Sequence, residues 1–179
     1  MTKEQIRSTI LLKLKTQKEE NRSRKSRIIE KKLFRSSCFK KAKIVMFYIS
    51  FGGEVDTRDM IKKAKKSGKI VTVPVCAKNR ILKACLLGGR DRLVKGPYGI
   101  LEPVTKQCVD LKHLDLVIVP GLAFNKQGKR LGRGKGYYDR FLEKLPKKTA
   151  TIGLAYDFQI LPRIPTISTD VNVGKIVFS

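Results

Sequence analysis

Apolar positions along this chain recur with two different periods. Between residues 3 and 16, Ile6, Ile10, Leu11 and Leu14 return at helical spacing while charge interrupts every few residues, which predicts a packed helix over 3–16. Lys3 and Arg7 stand one turn apart on that helix. A second, strongly cationic helix is predicted over 21–37. The pattern then tightens: "KIVMFYIS", 43–50, is an unbroken β-branched and aromatic run and reads as a buried strand. After the loop "FGGEVDT", Thr57 is placed to cap a helix whose apolar side is Met60, Ile61 and Ala64 and which Gly68 stops. "KIVTVPV", 69–75, is again a strand. Strand, helix and strand with short loops form a βαβ unit, which requires parallel pairing.

The signal weakens between 77 and 112. There "RILKACLL" reads as a strand, and "GGRDR" and "KGPYGILEP" read as loops from their Gly and Pro content. "DLVIVP", 115–120, is a buried strand. The following "GLAFNKQGKRLGRGKG", 121–136, reads as one long loop, and loops of that length in compact domains are commonly functional or disordered. Tyr138, Phe141, Leu142 and Leu145 predict a helix over 135–145. "TIGLAY" supplies a further strand and "GKIVFS" closes the sheet. With no repeats and no linker, the expected fold class is α/β: a single three-layer domain over 1–179, with a mostly parallel central sheet flanked by helices.

Composition narrows the class. The 179 residues are 41% hydrophobic, ordinary for a folded domain, and no apolar run approaches the ~20 residues of a membrane span. The N-terminus carries too much charge for a secretion signal, so a cytoplasmic, membrane-free protein is expected. Cys38, Cys76, Cys85 and Cys108 lack any C-x-x-C spacing, and His113 is the single histidine. Structural zinc and a disulfide framework are therefore not expected, and the cysteines read as reduced thiols. Forty Lys and Arg against fifteen Asp and Glu give a net charge of +25. Such a balance suits phosphate-bearing partners, but the lysines are spread over the whole chain as on ordinary solvent faces, so dedicated nucleic-acid binding is not expected.

The densest chemistry lies in "RLGRGKGYYDR", 130–140. A Walker loop would need Gly at 129 and Ser or Thr at 136, where Lys129 and Gly136 stand. A dinucleotide fingerprint would need Gly at 137, which is Tyr137. The physics of those motifs remains. Gly132, Gly134 and Gly136 alternate and leave the backbone free to take positive φ and turn N–H groups to one point, just before a helix begins. Arg130, Arg133 and Lys135 offer charge and donors at the rim. Asp139 suits a magnesium ion carried by phosphates, since magnesium commonly takes one or two protein carboxylates. A flexible basic loop, or an arginine–glycine segment contacting RNA, is the competing reading.

The stretch "VPGLAFNKQGKRLGRGKGYYDRFL", 119–142, resembles the signature of the 5-formyltetrahydrofolate cyclo-ligase family, also called 5,10-methenyltetrahydrofolate synthetases. "KEQIR" (3–7), "YISFGGEVDT" (48–57), "YGILEP" (98–103) and "IGLAYDFQ" (152–159) with Asp170 resemble further blocks of the family, in the same order. Two positions depart from its usual pattern: Asn125 where Asp is common, and Thr169 where His is frequent. The resemblance implies ATP-dependent closure of 5-formyltetrahydrofolate to 5,10-methenyltetrahydrofolate, with ADP and phosphate released.

It also implies the site. Lys135, Arg130 and Tyr138 would be catalytic. Lys3, Arg7 and the loop Arg130, Leu131, Gly132, Arg133, Gly134, Lys135, Gly136, Tyr137 and Tyr138 would hold ATP. Phe51, Glu54, Asp56, Tyr137 and Gln159 would meet the folate, and Asp139 with Asp170 would hold magnesium. Expected partners are these small molecules, on a monomer. The rival class, a nucleic-acid-binding protein, finds no use for Glu54, Asp56 and Asp139 next to a polyanion. A third possibility is a relative that keeps the ATP site and takes a different substrate.

Overall fold

A computed structural model describes residues 1–88, 92–96 and 99–179. The residues Gly89, Arg90, Asp91, Pro97 and Tyr98, in the two loops expected at 88–92 and 95–103, lie outside the described ones. Among the described residues, five α-helices run α1 (Lys3–Thr16), α2 (Glu19–Arg35), α3 (Ser37–Lys41), α4 (Arg58–Lys66) and α5 (Tyr137–Glu143). The six-stranded sheet has the order β10-β9-β6-β1-β2-β3, with β1 (Ile44–Met46), β2 (Ile70–Cys76), β3 (Leu82–Leu86), β6 (Leu116–Val119), β9 (Ala150–Ala155) and β10 (Lys175–Phe178). All its pairings are parallel except β2 with β3. Two small antiparallel ribbons, β4 (Leu93–Lys95) with β5 (Leu101–Pro103) and β7 (Ala123–Phe124) with β8 (Arg130–Leu131), complete the set.

Alternation along the strands explains the three layers, because successive side chains leave a strand on opposite faces. Val45, Leu116, Ile118, Ile152 and Leu154 join Ile6, Ile10, Ile29, Leu33, Met60 and Ala64 of the helices on one side. Met46, Val117, Val119 and Ala155 join Phe141 and Leu142 of α5 on the other. Strands buried on both faces read as continuous apolar runs, which is why period 2 is invisible in "LVIV".

Several expectations are corrected. The strand expected over 43–50 is registered against its neighbours only over Ile44–Met46; Phe47 N still donates to Thr72 O at 2.9 Å, and Phe47 to Ser50 continue buried past the strand's end. The helix expected over 21–37 is two helices, because Ser36 ends α2 in extended backbone and caps α3, its Oγ accepting from Phe39 N. Thr57 does not cap α4 with its side chain. Its Oγ1 donates instead to Tyr48 O at 2.6 Å, pinning the turn after β1. The expected long loop 121–136 contains the β7–β8 ribbon, folded on Asn125, whose Oδ1 accepts from Gln127 N and Lys129 N. That side-chain oxygen is all the turn requires, so Asn serves here where Asp is common in the family. Cys85 and Cys108, expected as reduced thiols, are joined as a disulfide; they face each other across an antiparallel bridge, a neighbourhood that sequence spacing does not reveal. No helix is long and apolar enough to cross a membrane, among the described residues.

Candidate active site

The strand order places the site. The chain runs from β1 outward to β2 and β3, then returns to the other side of β1 with β6. At such a reversal the segments leaving the carboxyl ends of the two central strands diverge and leave a crevice. Tyr48 to Glu54 after β1 and Pro120 to Leu122 after β6 form its floor, and the glycine loop 130–136 covers one side. The resulting cleft encloses about 810 Å³. Lys3, Arg7, Phe51, Glu54, Asp139, Asp170 and the whole of Arg130–Tyr138 line it. Residues up to 167 positions apart in sequence thus converge.

The glycine loop is fixed in place by named contacts. Gly134 has φ +97° and Gly136 φ +66°, conformations that side-chain-bearing residues rarely take, and Gly136 leads directly into α5. Gly132 does not share this conformation, contrary to the expectation for all three. Its carbonyl accepts from Arg7 Nε at 3.1 Å, which couples the loop to α1. Arg140 Nη2 donates to Lys135 O at 3.0 Å from one turn further along.

Arg130, expected at the rim, is buried. Its Nη2 meets Asp139 Oδ1 at 2.8 Å, and its Nη1 donates to Pro120 O at 3.3 Å. Its guanidinium carbon lies 5.8 Å from the Tyr138 ring centroid. A buried guanidinium needs such an anion, because desolvation of an unpaired charge is costly. On the neighbouring wall Lys3 Nζ meets Asp170 Oδ2 at 2.5 Å. Partial burial opposes the charge of Asp170, but the hydrogen bonds from Lys3 and Ile167 N and the charges of Lys3 and Arg130 outweigh it. The carboxyl is held below its ordinary range. Val171 N points at Asp139 Oδ1 at 3.4 Å, so the two carboxylates stand on adjacent parts of one wall.

The opposite end of the cleft is built around Glu54. Its carboxylate accepts from Arg133 Nη2 at 3.1 Å and from Phe51 N at 3.3 Å. Burial pushes the Glu54 carboxyl above its ordinary value, and Arg133 and the Phe51 N–H offset that only in part. Beneath it, Tyr156 Oη donates to Glu54 O at 3.1 Å and Ser26 Oγ joins Tyr156 Oη at the same distance. This buried network fixes the backbone that carries the acid. The Tyr138 hydroxyl, sealed from solvent, makes no hydrogen bond among the described residues, and burial pushes it well above its ordinary pKa.

Two of the expected residues do not line the cleft. Asp56 turns away to accept from Ser50 Oγ and Arg58 N. Gln159 is buried behind the wall, where its Nε2 donates to Gly121 O and Leu122 O, both at 3.0 Å, and its Oε1 accepts from Tyr156 N. Gln159 holds the floor segment in shape rather than facing the cavity. Sequence reading missed Arg80, Arg140 and Cys76, which do line it. Arg80 and its neighbour Asn79 have φ near +57° and +58°, a turn with no glycine to announce it. Burial pushes the Cys76 thiol up, and the Glu102 carboxylate adds to that against the charge of Lys135, so it is no ready nucleophile.

Comparison with known proteins covers the chain over its full length. The model of the 5-formyltetrahydrofolate cyclo-ligase family matches residues 1–179. The 5-formyltetrahydrofolate cyclo-ligase of Mus musculus is 31% identical over 97% of this chain and 91% of its own, and a probable one of Caenorhabditis elegans is 33% identical over 97% and 89%. The NMR structure of Aquifex aeolicus 5,10-methenyltetrahydrofolate synthetase superposes with a TM-score of 0.88 at 34% identity, covering 99% of this chain and 90% of that one. With matches of this extent in sequence and in fold, the chain belongs to the 5-formyltetrahydrofolate cyclo-ligase family.

Proposed function

We propose that the chain closes 5-formyltetrahydrofolate to 5,10-methenyltetrahydrofolate at the expense of ATP, and that the cleft between β1 and β6 is where it does so. The observation that carries this reading is the opposition of two chemically different ends in one cavity. A cation-lined glycine loop stands at one end, and a buried carboxylate beside an aromatic ring, Glu54 with Phe51, at the other. The first end suits phosphate and the second suits a flat, donor-edged heterocycle.

The chemistry follows from what the substrate lacks. A formamide oxygen is a weak nucleophile and a poor leaving group. In the proposed reaction it attacks the γ-phosphorus of ATP and ADP departs. N10 then attacks the activated carbon, phosphate leaves with the former formyl oxygen, and N10 loses its proton. The protein's work is to hold the reactants in line and to balance phosphate charge. Lys135 and Arg133 come from the glycine loop, and Lys3 and Arg7 from α1. Buried Arg130 places its charge under the same point, while Tyr138 offers a hydroxyl donor. Tyr137 and Phe51 border the folate end.

Magnesium keeps several waters and takes few protein carboxylates. No cluster of three acidic, cysteine or histidine side chains able to hold a metal occurs among the described residues. Asp139 and Asp170 are hard oxygen donors on the cleft wall, each already facing a cation. They fit an ion delivered with the nucleotide, whose contribution there would be to neutralise phosphate charge. The test mixes purified protein with 5-formyltetrahydrofolate, ATP and magnesium, omits each in turn, and follows the near-ultraviolet absorbance of the methenyl product. A signal that needs all three supports the reading. Absence of product with ATP still bound would point to another substrate.

A further inference from the structure

Arg133 stands between two glycines of the phosphate-side loop, yet its side chain reaches across the cleft to the other end. The guanidinium carbon lies 4.3 Å from the Phe51 ring centroid, and Nη2 donates to Glu54 Oε1 at 3.1 Å. A planar cation thus lies over an aromatic ring and is hydrogen-bonded to a buried carboxylate. Space for it is left by Gly52 (φ +58°), where a Cβ would stand only 3.3 Å from Arg133 Nη2.

The 2-amino-4-oxo edge of a pteridine carries the same N–C(–NH2)–N arrangement as a guanidinium, flat and with adjacent N–H donors. It would satisfy Glu54 and stack on Phe51 in the same way. Both cannot occupy that seat at once. Nor can the seat be left bare without cost: the Glu54 side chain is 8% exposed, so its carboxylate needs a donor partner whenever it is charged. Arg133 itself is 36% exposed and is held at this end by the two contacts described. Once displaced, it belongs to a loop whose other cation, Lys135, faces the cavity, and whose Gly132 carbonyl is tied to the nucleotide-side Arg7.

We propose that Arg133 is a positioning residue that acts as an exchangeable stand-in for the pteridine. When folate takes over Glu54 and Phe51, the released guanidinium turns to the nucleotide phosphates; when nucleotide draws Arg133 away, the folate seat opens. The two substrates therefore bind with positive cooperativity, reciprocally, because a coupling free energy between two sites is the same from either side. This inference rests on the folate and ATP assignment of the preceding section.

The experiment is calorimetric titration of 5-formyltetrahydrofolate into the protein, with and without magnesium and a non-hydrolysable ATP analogue, for wild type, Arg133→Ala and Arg133→Lys. In wild type the analogue tightens folate binding by about fivefold or more, in the usual range of allosteric coupling, and folate tightens the analogue equally. In Arg133→Ala the enhancement disappears, while folate alone binds at least as tightly as to wild type because no side chain has to be displaced. Arg133→Lys, which keeps the charge but loses the flat fork, gives an intermediate coupling. Equal enhancement in wild type and Arg133→Ala, or weakened binding of folate alone in Arg133→Ala, overturns the stand-in and leaves the folate site intact. Failure of wild type to bind 5-formyltetrahydrofolate at all overturns the functional reading together with this one.

Discussion

Lys3 and Asp170, at opposite ends of the chain, meet across the cleft wall at 2.5 Å, so that the first turn of α1 is fastened to the segment leading into β10. Both side chains are about one-fifth exposed, and both belong to the region expected to meet nucleotide. The contact pairs a cleft-lining cation with a carboxylate and ties the N-terminal helix to the C-terminal segment.

Replacing Lys3 by Met therefore has a pH-dependent cost. Asp170 is held below its ordinary carboxylate range in the fold. A group depressed in this way contributes stability above its unfolded value near pH 4, and that stability is lost as pH falls through the folded value. At pH 7 the Lys3→Met variant should lose about 1 kcal/mol of unfolding free energy. Denaturant melts of variant and wild type should converge as pH falls below the depressed folded value, where the carboxyl is protonated in both states. A gap that persists undiminished in acid would mean the ion pair is not its origin.

Lys135→Ala and Asp139→Ala separate two kinds of loss. Both should cut turnover at least tenfold, about 1.4 kcal/mol or more of transition-state stabilisation. Only Asp139→Ala should also lower stability, by about 3 kcal/mol, because it strands the Arg130 guanidinium, whose side chain is 4% exposed. Lys62 and Lys66 on α4 carry the same charge outside the cleft. Their replacement by Ala should leave turnover within about twofold of wild type, as expected of screened surface charge. Near-normal turnover in both cleft variants would remove the loop from the reaction.

Much of this was written in the chain, and what was not has a physical reason. The helix over 3–16 was legible residue for residue because Ile6, Ile10 and Leu14 return at one-turn spacing and all are buried. The glycine loop and Asp139 were legible from residue type, Asp170 only through the family resemblance, and the cleft does gather them. Three-dimensional facts were not. Arg130 looks like any rim arginine until Pro120 and Asp139 close over it. Gln159 looks like a ligand until its amide is seen holding the 121–122 carbonyls. Arg80 is brought in by a left-handed turn without glycine, and Cys85 meets Cys108 only because the sheet edge folds back on itself. Each depends on a neighbour or a backbone turn that residue type and spacing do not encode.

Gly134→Ala should harm nucleotide use specifically. At φ +97° an alanine costs about 1–2 kcal/mol, and its Cβ would touch the Arg7 guanidinium carbon at 3.4 Å. Gly68, at φ +80° in open space beyond α4, provides the matching control. Both alanine variants should melt lower by a similar amount, whereas only Gly134→Ala should raise the KM for ATP severalfold with that for folate unchanged. Equal kinetics in the two would reduce Gly134 to a backbone requirement.

Tyr138→Phe tests whether a buried hydroxyl is held for the reactants. Its oxygen is shielded from water and makes no hydrogen bond among the described residues, although the ring packs against Phe141 at 6.3 Å between centroids. A hydroxyl serving only the fold would be bonded, and its loss would cost about 1 kcal/mol. Here removal should leave stability unchanged or raise it by up to about 1 kcal/mol, since an unmet polar group leaves the interior. Turnover should nevertheless fall about tenfold, as expected of a donor that finds its partner only in the bound reactants and acts mainly in the transition state. Measured together, melting temperature and kcat decide the matter. A variant that is both destabilised and fully active would make the Tyr138 hydroxyl structural, and one that is at least as stable but slow would place it at the reacting groups.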